Sequence, residues 1–372
     1  MRKAFRHRHI WQTIVAVALL FCGGAGTAQA NGWETGSLAE AGFNEALGDQ
    51  LDAAFADGEF DGLHGIVVVR HGKLLLERYY PGDDERWGQD LGMVEHNAET
   101  KHDLRSVSKS IVGLLYGIAL DEGSAPPIDA PLLEQFPRYP DVPDLEAKRA
   151  ITIEHVLTMT LGLDWSEELP YTDPRNSEIA MEFAPDRYRY ILDRPMKDAP
   201  GERWVYNGGA TALLGRVIAT GVDLPLLSYA REKLFDPLGI EDVEWVEGAD
   251  GEPAAASGLR MRPRDLAKIG QLVLNRGTWD GKRIISEAWL ETAHSPHAEI
   301  GGGTDYGYQW WLTALPSGES VIGGFGNGGQ RLFIVPALDL VVVITAGRYN
   351  QPEEGKLPGQ VLNDYILEAL TE

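Results

Sequence analysis

Across residues 107–120, VSKSIVGLLYGIAL, Lys109 is the only charged side chain. Val107, Ile111, Leu114, Leu115 and Ile118 recur at three- and four-residue spacing, which predicts a helix with one apolar face. The other side is not polar. It holds Ser106, Ser110, Gly113 and Gly117 in line with Lys109. A helix without a charged face is buried on every side, so the chain must fold as packed layers around this segment. Gly113 and Gly117 weaken the helix intrinsically, which points to another backbone or a ligand lying close against them. Asp121-Glu122-Gly123 supplies a polar end with glycine at the expected stop.

The rest of the chain predicts what those layers are. Residues 65–80, GIVVVRHGKLLLERYY, read as two strands joined by a tight turn at Arg70-His71-Gly72-Lys73, where glycine provides a positive φ. Helical signals dominate from 106 to about 219, and further helices are expected at 264–275, 286–293 and 357–370. Strands return at 308–312, 330–335 and 340–345. Strands from both ends with helices between them predict an α+β molecule. Its sheet part would span about 31–105 and 255–372, and its helical part about 106–254. Long connections in the acidic stretch 165–193 suggest a lid or binding loop.

Residues 1–30 have a basic start, a short apolar run over 14–22 and an Ala28-Gln29-Ala30 end. This is the layout of a cleaved export signal and predicts a periplasmic or secreted product. The apolar run is too short for a permanent span, and no later segment is long and apolar enough for one. Cys22 is the only cysteine. The mature chain would therefore lack disulfides, thiolate metal sites and cysteine nucleophiles. With 33 Lys+Arg against 56 Asp+Glu, the net charge is −23, which disfavours nucleic acid and anionic lipid as partners.

Within the uncharged helix, Ser106 and Lys109 stand three residues apart. Lysine is almost never buried without a partner, and burial favours its neutral amine. Such an amine can take the proton of a serine hydroxyl on the same face. A serine in the first turn also presents a free backbone N–H, half of an oxyanion hole. The same residues equally allow Ser106 as an N-cap and Lys109 in a structural ion pair.

The surrounding residues decide the family. TKHDLRSVSKSIVGLLYGIALDEG resembles the active-site helix of the serine hydrolases related to class C β-lactamases and penicillin-binding proteins. ITIEHVLTMTLGLDW, PGERWVYNGGATALLG, LFDPLGI, ASGLRMRPRDLAKIGQLVLNRGTW and GNGGQRLFIVPALDLVVVITAG agree in the same order. The resemblance implies a β-lactamase/transpeptidase-like fold: an antiparallel sheet flanked by helices, with an adjoining helical domain and the site between them. It implies that Ser106 is acylated, that Lys109 is its proton partner, and that Tyr206 passes a proton to the leaving group. A phenol beside an ammonium would have its pKa drawn down. Two departures stand out. Where β-lactamases carry Tyr-x-Asn, Gly208 follows, and the asparagine is Asn207, a substrate contact or a helix cap. The third motif, Lys-Thr-Gly or His-x-Gly, is replaced by the cation-free GGFGNGGQ of 323–330.

Glycine-rich third motifs ending in Gly-Gly-Gln resemble those of 6-aminohexanoate-dimer hydrolases and esterase-type members. Gly326, Asn327 and Gly328 would then line the substrate pocket. The expected activity is cleavage of a small amide or ester without metal or organic cofactor. A catalytically silent scaffold that binds peptide or cell-wall fragments, and a β-lactamase or D-Ala-D-Ala peptidase, are the alternatives. Gly324-x-Gly326-x-x-Gly329 matches a dinucleotide fingerprint only in form, because a strand follows it. His96, His102, His155, His294 and His297 show no paired ligand spacing on one helix, so they read as structural. His102 is nonetheless close enough to Ser106 to shape the site.

Overall fold

A computed structural model describes residues 29–30 and 32–371. Apart from the backbone of its last two residues, the expected export signal lies outside them. The frame is an eight-stranded antiparallel sheet in the order Ala298–Gly301, Thr304–Tyr306, Trp311–Ala314, Ser320–Gly326, Gln330–Val335, Leu340–Ala346, Leu63–Arg70, Lys73–Tyr79. Strands from the two ends of the chain meet where Val341 pairs with Val69 and Val343 with Val67. These central strands are buried on both faces, so their β-branched residues alternate between two cores. Val67, Val69, Val341 and Val343 face the helical side. Ile66, Val68, Val342 and Ile344 face Leu47–Ala56 and the C-terminal helical segment.

The 63–79 hairpin turns on two residues with positive φ, His71 at +54° and Gly72 at +72°, the geometry that matches strand twist. The strand expected at 308–312 starts later, as Trp311–Ala314. Gln309 takes φ +66° and breaks the extended run. Its buried amide donates to the Leu157 carbonyl at 3.0 Å and accepts from the Thr211 hydroxyl at 2.6 Å. Those bonds outweigh the strand preference of its neighbours.

The helix Val107–Asp121 is buried along nearly its whole length, and the close approach expected at its glycines occurs. A Cβ on Gly113 would lie 3.0 Å from the Tyr308 carbonyl oxygen, and one on Gly117 2.1 Å from the Trp289 ring. Two further features carry little sequence signal. A small sheet orders His102–Asp103, Leu259–Met261 and Glu244–Trp245, and a hairpin joins Gly82–Arg86 to Gln89–Val94. Among the described residues, no single helix is long and apolar enough to cross a membrane.

Candidate active site

The small sheet delivers the chain to the start of the buried helix. Asp103 ends its short strand, and Arg105 then takes φ +48°, a strained turn of the kind held at functional sites. Ser106 follows, 8 % exposed, directly before Val107. It occupies the capping position but its side chain does not cap. Instead Ser106 Oγ accepts from Lys109 Nζ at 3.0 Å. The serine opens onto a cavity of about 330 Å³ lined by Arg105, Tyr171, Glu178, Phe183, Asn327 and Asn350, among others.

Lys109 is 1 % exposed. Its ammonium also donates to Glu178 Oε2 at 3.2 Å and to the Ala256 carbonyl at 3.1 Å. The neutral amine expected from burial is therefore corrected. Burial does act to lower its pKa, but Glu178, then Tyr206 and Glu167, outweigh that and raise it. Lys109 rests as a charged relay between a hydroxyl and a carboxylate.

Glu178 and Glu167 were not foreseen as site residues. Glu178 lies in the short helix Ser177–Glu182, whose start Asn176 caps through the backbone N–H groups of Glu178 and Ile179. Glu167 Oε1 accepts from Trp165 Nε1 and the Gly208 N–H, each at 2.6 Å, and Oε2 from the Tyr171 hydroxyl at 2.8 Å. The two carboxyl groups are buried neighbours that act strongly on each other, so one of them keeps a proton. Burial and the neighbouring Glu178 push Glu167 up to about 8. Burial also acts to raise Glu178, but Lys109 prevails and holds it down. The pair is thus split into one acid and one carboxylate. The available signal was a buried lysine with no anion within reach on its own helix, beside an acidic stretch already marked as a lid.

The glycine at 208 now has a reason. A Cβ there would stand 2.2 Å from Glu178 Oε2. The carboxylate occupies the place where the second motif's asparagine would begin.

Tyr206 presents its ring to Lys109, with Nζ 4.9 Å from the ring centroid, and Ser106 acts to hold its pKa down. Its expected downward pKa shift is corrected: burial outweighs the pull of Lys109 and raises it, so Tyr206 rests as a phenol. Trp311 flanks it at 5.6 Å between ring centroids, while Trp310 is fully buried. Asn207 takes the capping option. Its Oδ1 accepts from the Ala210 N–H at 3.1 Å at the start of Gly208–Val222.

The glycine-rich segment runs past the serine as the strand Ser320–Gly326. A Cβ on Gly326 would be 2.4 Å from the Leu104 carbonyl oxygen, so glycine lets this strand approach the turn before Ser106. Asn327 lines the cavity and is held by Glu354 Oε2 at 3.0 Å, which also accepts from the Gly328 N–H at 2.7 Å. The strand Gln330–Val335 follows where a dinucleotide fingerprint would need a helix, so that reading stays rejected. Arg105 does bring a cation to the cavity, but Glu85 and Asp103 each hold it at 3.0 Å.

The family description "Beta-lactamase" matches residues 51–364. The 6-aminohexanoate-dimer hydrolase of Paenarthrobacter ureafaciens is 26% identical over 305 residues, covering 74% of this chain and 70% of that protein. Esterase EstB of Burkholderia gladioli is 27% identical over 215 residues, covering 53% of this chain and 52% of that one. A solved Bacillus anthracis structure, provisionally named a 6-aminohexanoate-dimer hydrolase, superposes with TM-score 0.71 at 21% identity, over 87% of this chain and 83% of that one. That likeness concerns the fold.

Proposed function

The chain belongs to the Beta-lactamase family and is one of its serine hydrolases, and from that premise we propose that it is an exported amidase or esterase acting on small substrates without a required carboxylate. One observation carries the reading: Ser106 Oγ, Lys109 Nζ and Glu178 Oε2 form a continuous hydrogen-bonded line, with the Tyr206 ring against the same ammonium. As Ser106 Oγ bonds the substrate carbonyl carbon, its proton passes to Lys109, which gives one to Glu178. The tetrahedral oxyanion sits at the Ser106 N–H and a backbone N–H of the strand Ser320–Gly326. Tyr206 then donates its proton to the leaving amine or alcohol and is reprotonated by Lys109, which recovers its own from Glu178. Water repeats the sequence on the acyl-enzyme.

Among the described residues lining the cavity Arg105 is the one cation, and Glu85 and Asp103 hold it, which favours a neutral substrate over an anionic one. Short aminohexanoate oligomers and p-nitrophenyl esters are the substrates to try, beside a chromogenic cephalosporin. The proposal expects turnover of the first two classes and weak or no turnover of the third. A fluorophosphonate should label the protein, and Ser106→Ala should abolish both labelling and turnover. Failure of every acylating probe to label the folded protein would instead identify a silent scaffold.

A further inference from the structure

The layer that leads into Ser106 carries a second cluster, which acyl transfer does not use. His64 lies in the strand Leu63–Arg70, Asp84 in Gly82–Arg86, His96 just beyond Gln89–Val94, and His102 in the short strand His102–Asp103. One ligand-capable atom from each lies within 4.8 Å of all the others. His64 and His102 are 1 % exposed and Asp84 is 2 % exposed. His96 is half-buried, with its Nε2 shielded from solvent.

The separations suit a small cation. His64 Nδ1 is 2.9 Å from His102 Nε2 and 3.9 Å from Asp84 Oδ1, and His102 Nε2 is 3.5 Å from Asp84 Oδ1. A tetrahedral ion with bonds of about 2.0–2.1 Å to nitrogen and oxygen sets its ligands about 3.3 Å apart. The three observed edges bracket that value.

The groups behind the cluster aim it. His102 Nδ1 lies 3.0 Å from the Asp103 carbonyl, which only accepts, so the proton sits on Nδ1 and the Nε2 lone pair points inward. Asp84 Oδ1 accepts from the Tyr349 hydroxyl and the Glu85 N–H, each at 2.8 Å. The His64 ring fits because residues 82 and 347 are glycine: a Cβ on either would lie 2.5 Å from it. Without a cation, His64 Nδ1–H can donate to His102 Nε2, but the buried Nε2 of His96 has no partner among the described residues. A cation would take the lone pairs of His64 Nδ1 and His102 Nε2 together with the unpartnered Nε2 of His96.

We propose that His64, Asp84, His96 and His102 bind one divalent cation of the zinc class. Four protein ligands close the coordination shell, so the ion is structural. It ties the central sheet and the 82–94 hairpin to the segment that delivers Ser106 four residues later, and its ligands are positioning residues. No sequence spacing announces the site, because each ligand comes from a different strand or loop.

The test uses the full chain without a histidine tag, stripped by chelator and titrated with Co(II), then with Zn(II). One equivalent of Co(II) should bind with the intense visible absorption of a four-coordinate site, and Zn(II) should displace it and raise Tm. His96→Ala, in the exposed loop, and Asp84→Asn should each lose the bound equivalent while retaining native circular dichroism. Tyr349→Phe should weaken binding by about 10–100-fold. The proposal is overturned by no stoichiometric binding to the folded wild type, by the weak absorption of a six-coordinate ion, or by spectra unchanged in both His96→Ala and Asp84→Asn.

Discussion

Replacing Glu178 by glutamine keeps its shape but removes the carboxylate that holds Lys109 charged and receives its proton. The variant should fold normally and lose about 10²–10⁴ in kcat, with KM for a neutral ester nearly unchanged. Steady-state kinetics beside circular dichroism checks this. Gly208→Ala should fail for the same reason by another route, because its Cβ would displace the Glu178 carboxylate. A kcat loss of at least about tenfold is expected. The double variant should be little worse than Glu178→Gln alone, since two changes on one contact are not additive. At this scale Ser106 and Lys109 were legible from a short motif with local spacing, whereas Tyr206 came only from the family resemblance. Glu178 was not, since it lies sixty-nine residues from the lysine it serves. The charge state of Lys109 followed the same fate: burial is visible in a helix pattern, but the partner that reverses its effect is not.

The helix Val107–Asp121 shows how an element can be read almost completely from its own residues. Its extent, its burial on all sides and the crowding at Gly113 and Gly117 were each expected, and each follows from the missing charged face. Gly117→Val should cost about 1–3 kcal/mol through overpacking against Trp289. A lower denaturant midpoint at unchanged m-value checks this, with kcat per folded molecule retained. Elements whose form depends on a neighbour were read less well. The strand expected at 308–312 yields to Gln309, whose side chain satisfies the carbonyl of Leu157 and the hydroxyl of Thr211. The two-residue strand His102–Asp103 exists only because Leu259–Met261 pairs with it, and so short a segment has no periodicity to read.

For the molecule as a whole, the Glu167–Glu178 pair couples stability to pH. The folded-state pKa of Glu167 is raised to about 8, so the folded chain keeps a proton there that the unfolded chain releases above the ordinary carboxylate range. Its contribution is complete below about 4.5 and is lost as pH rises through about 8. Wild type should therefore lose stability relative to Glu167→Gln between pH 5 and pH 8, and the gap should level off above that, as read by Tm across a pH series. The alkaline limb near 8 in kcat/KM should also disappear in Glu167→Gln. The α+β plan was legible at this scale because alternating runs of β-branched residues at both ends can be buried only by pairing with each other. By itself the sequence determined the layers, the buried helix, the serine with its lysine and tyrosine, and the family those blocks resemble. Only the tertiary structure decided that Lys109 is charged, that Glu178 takes the space beside Gly208, and that four ligand residues converge before Ser106. Local pattern records which surfaces must be buried, whereas the protonation of a buried group and the geometry of a cluster depend on atoms that folding brings from distant parts of the chain.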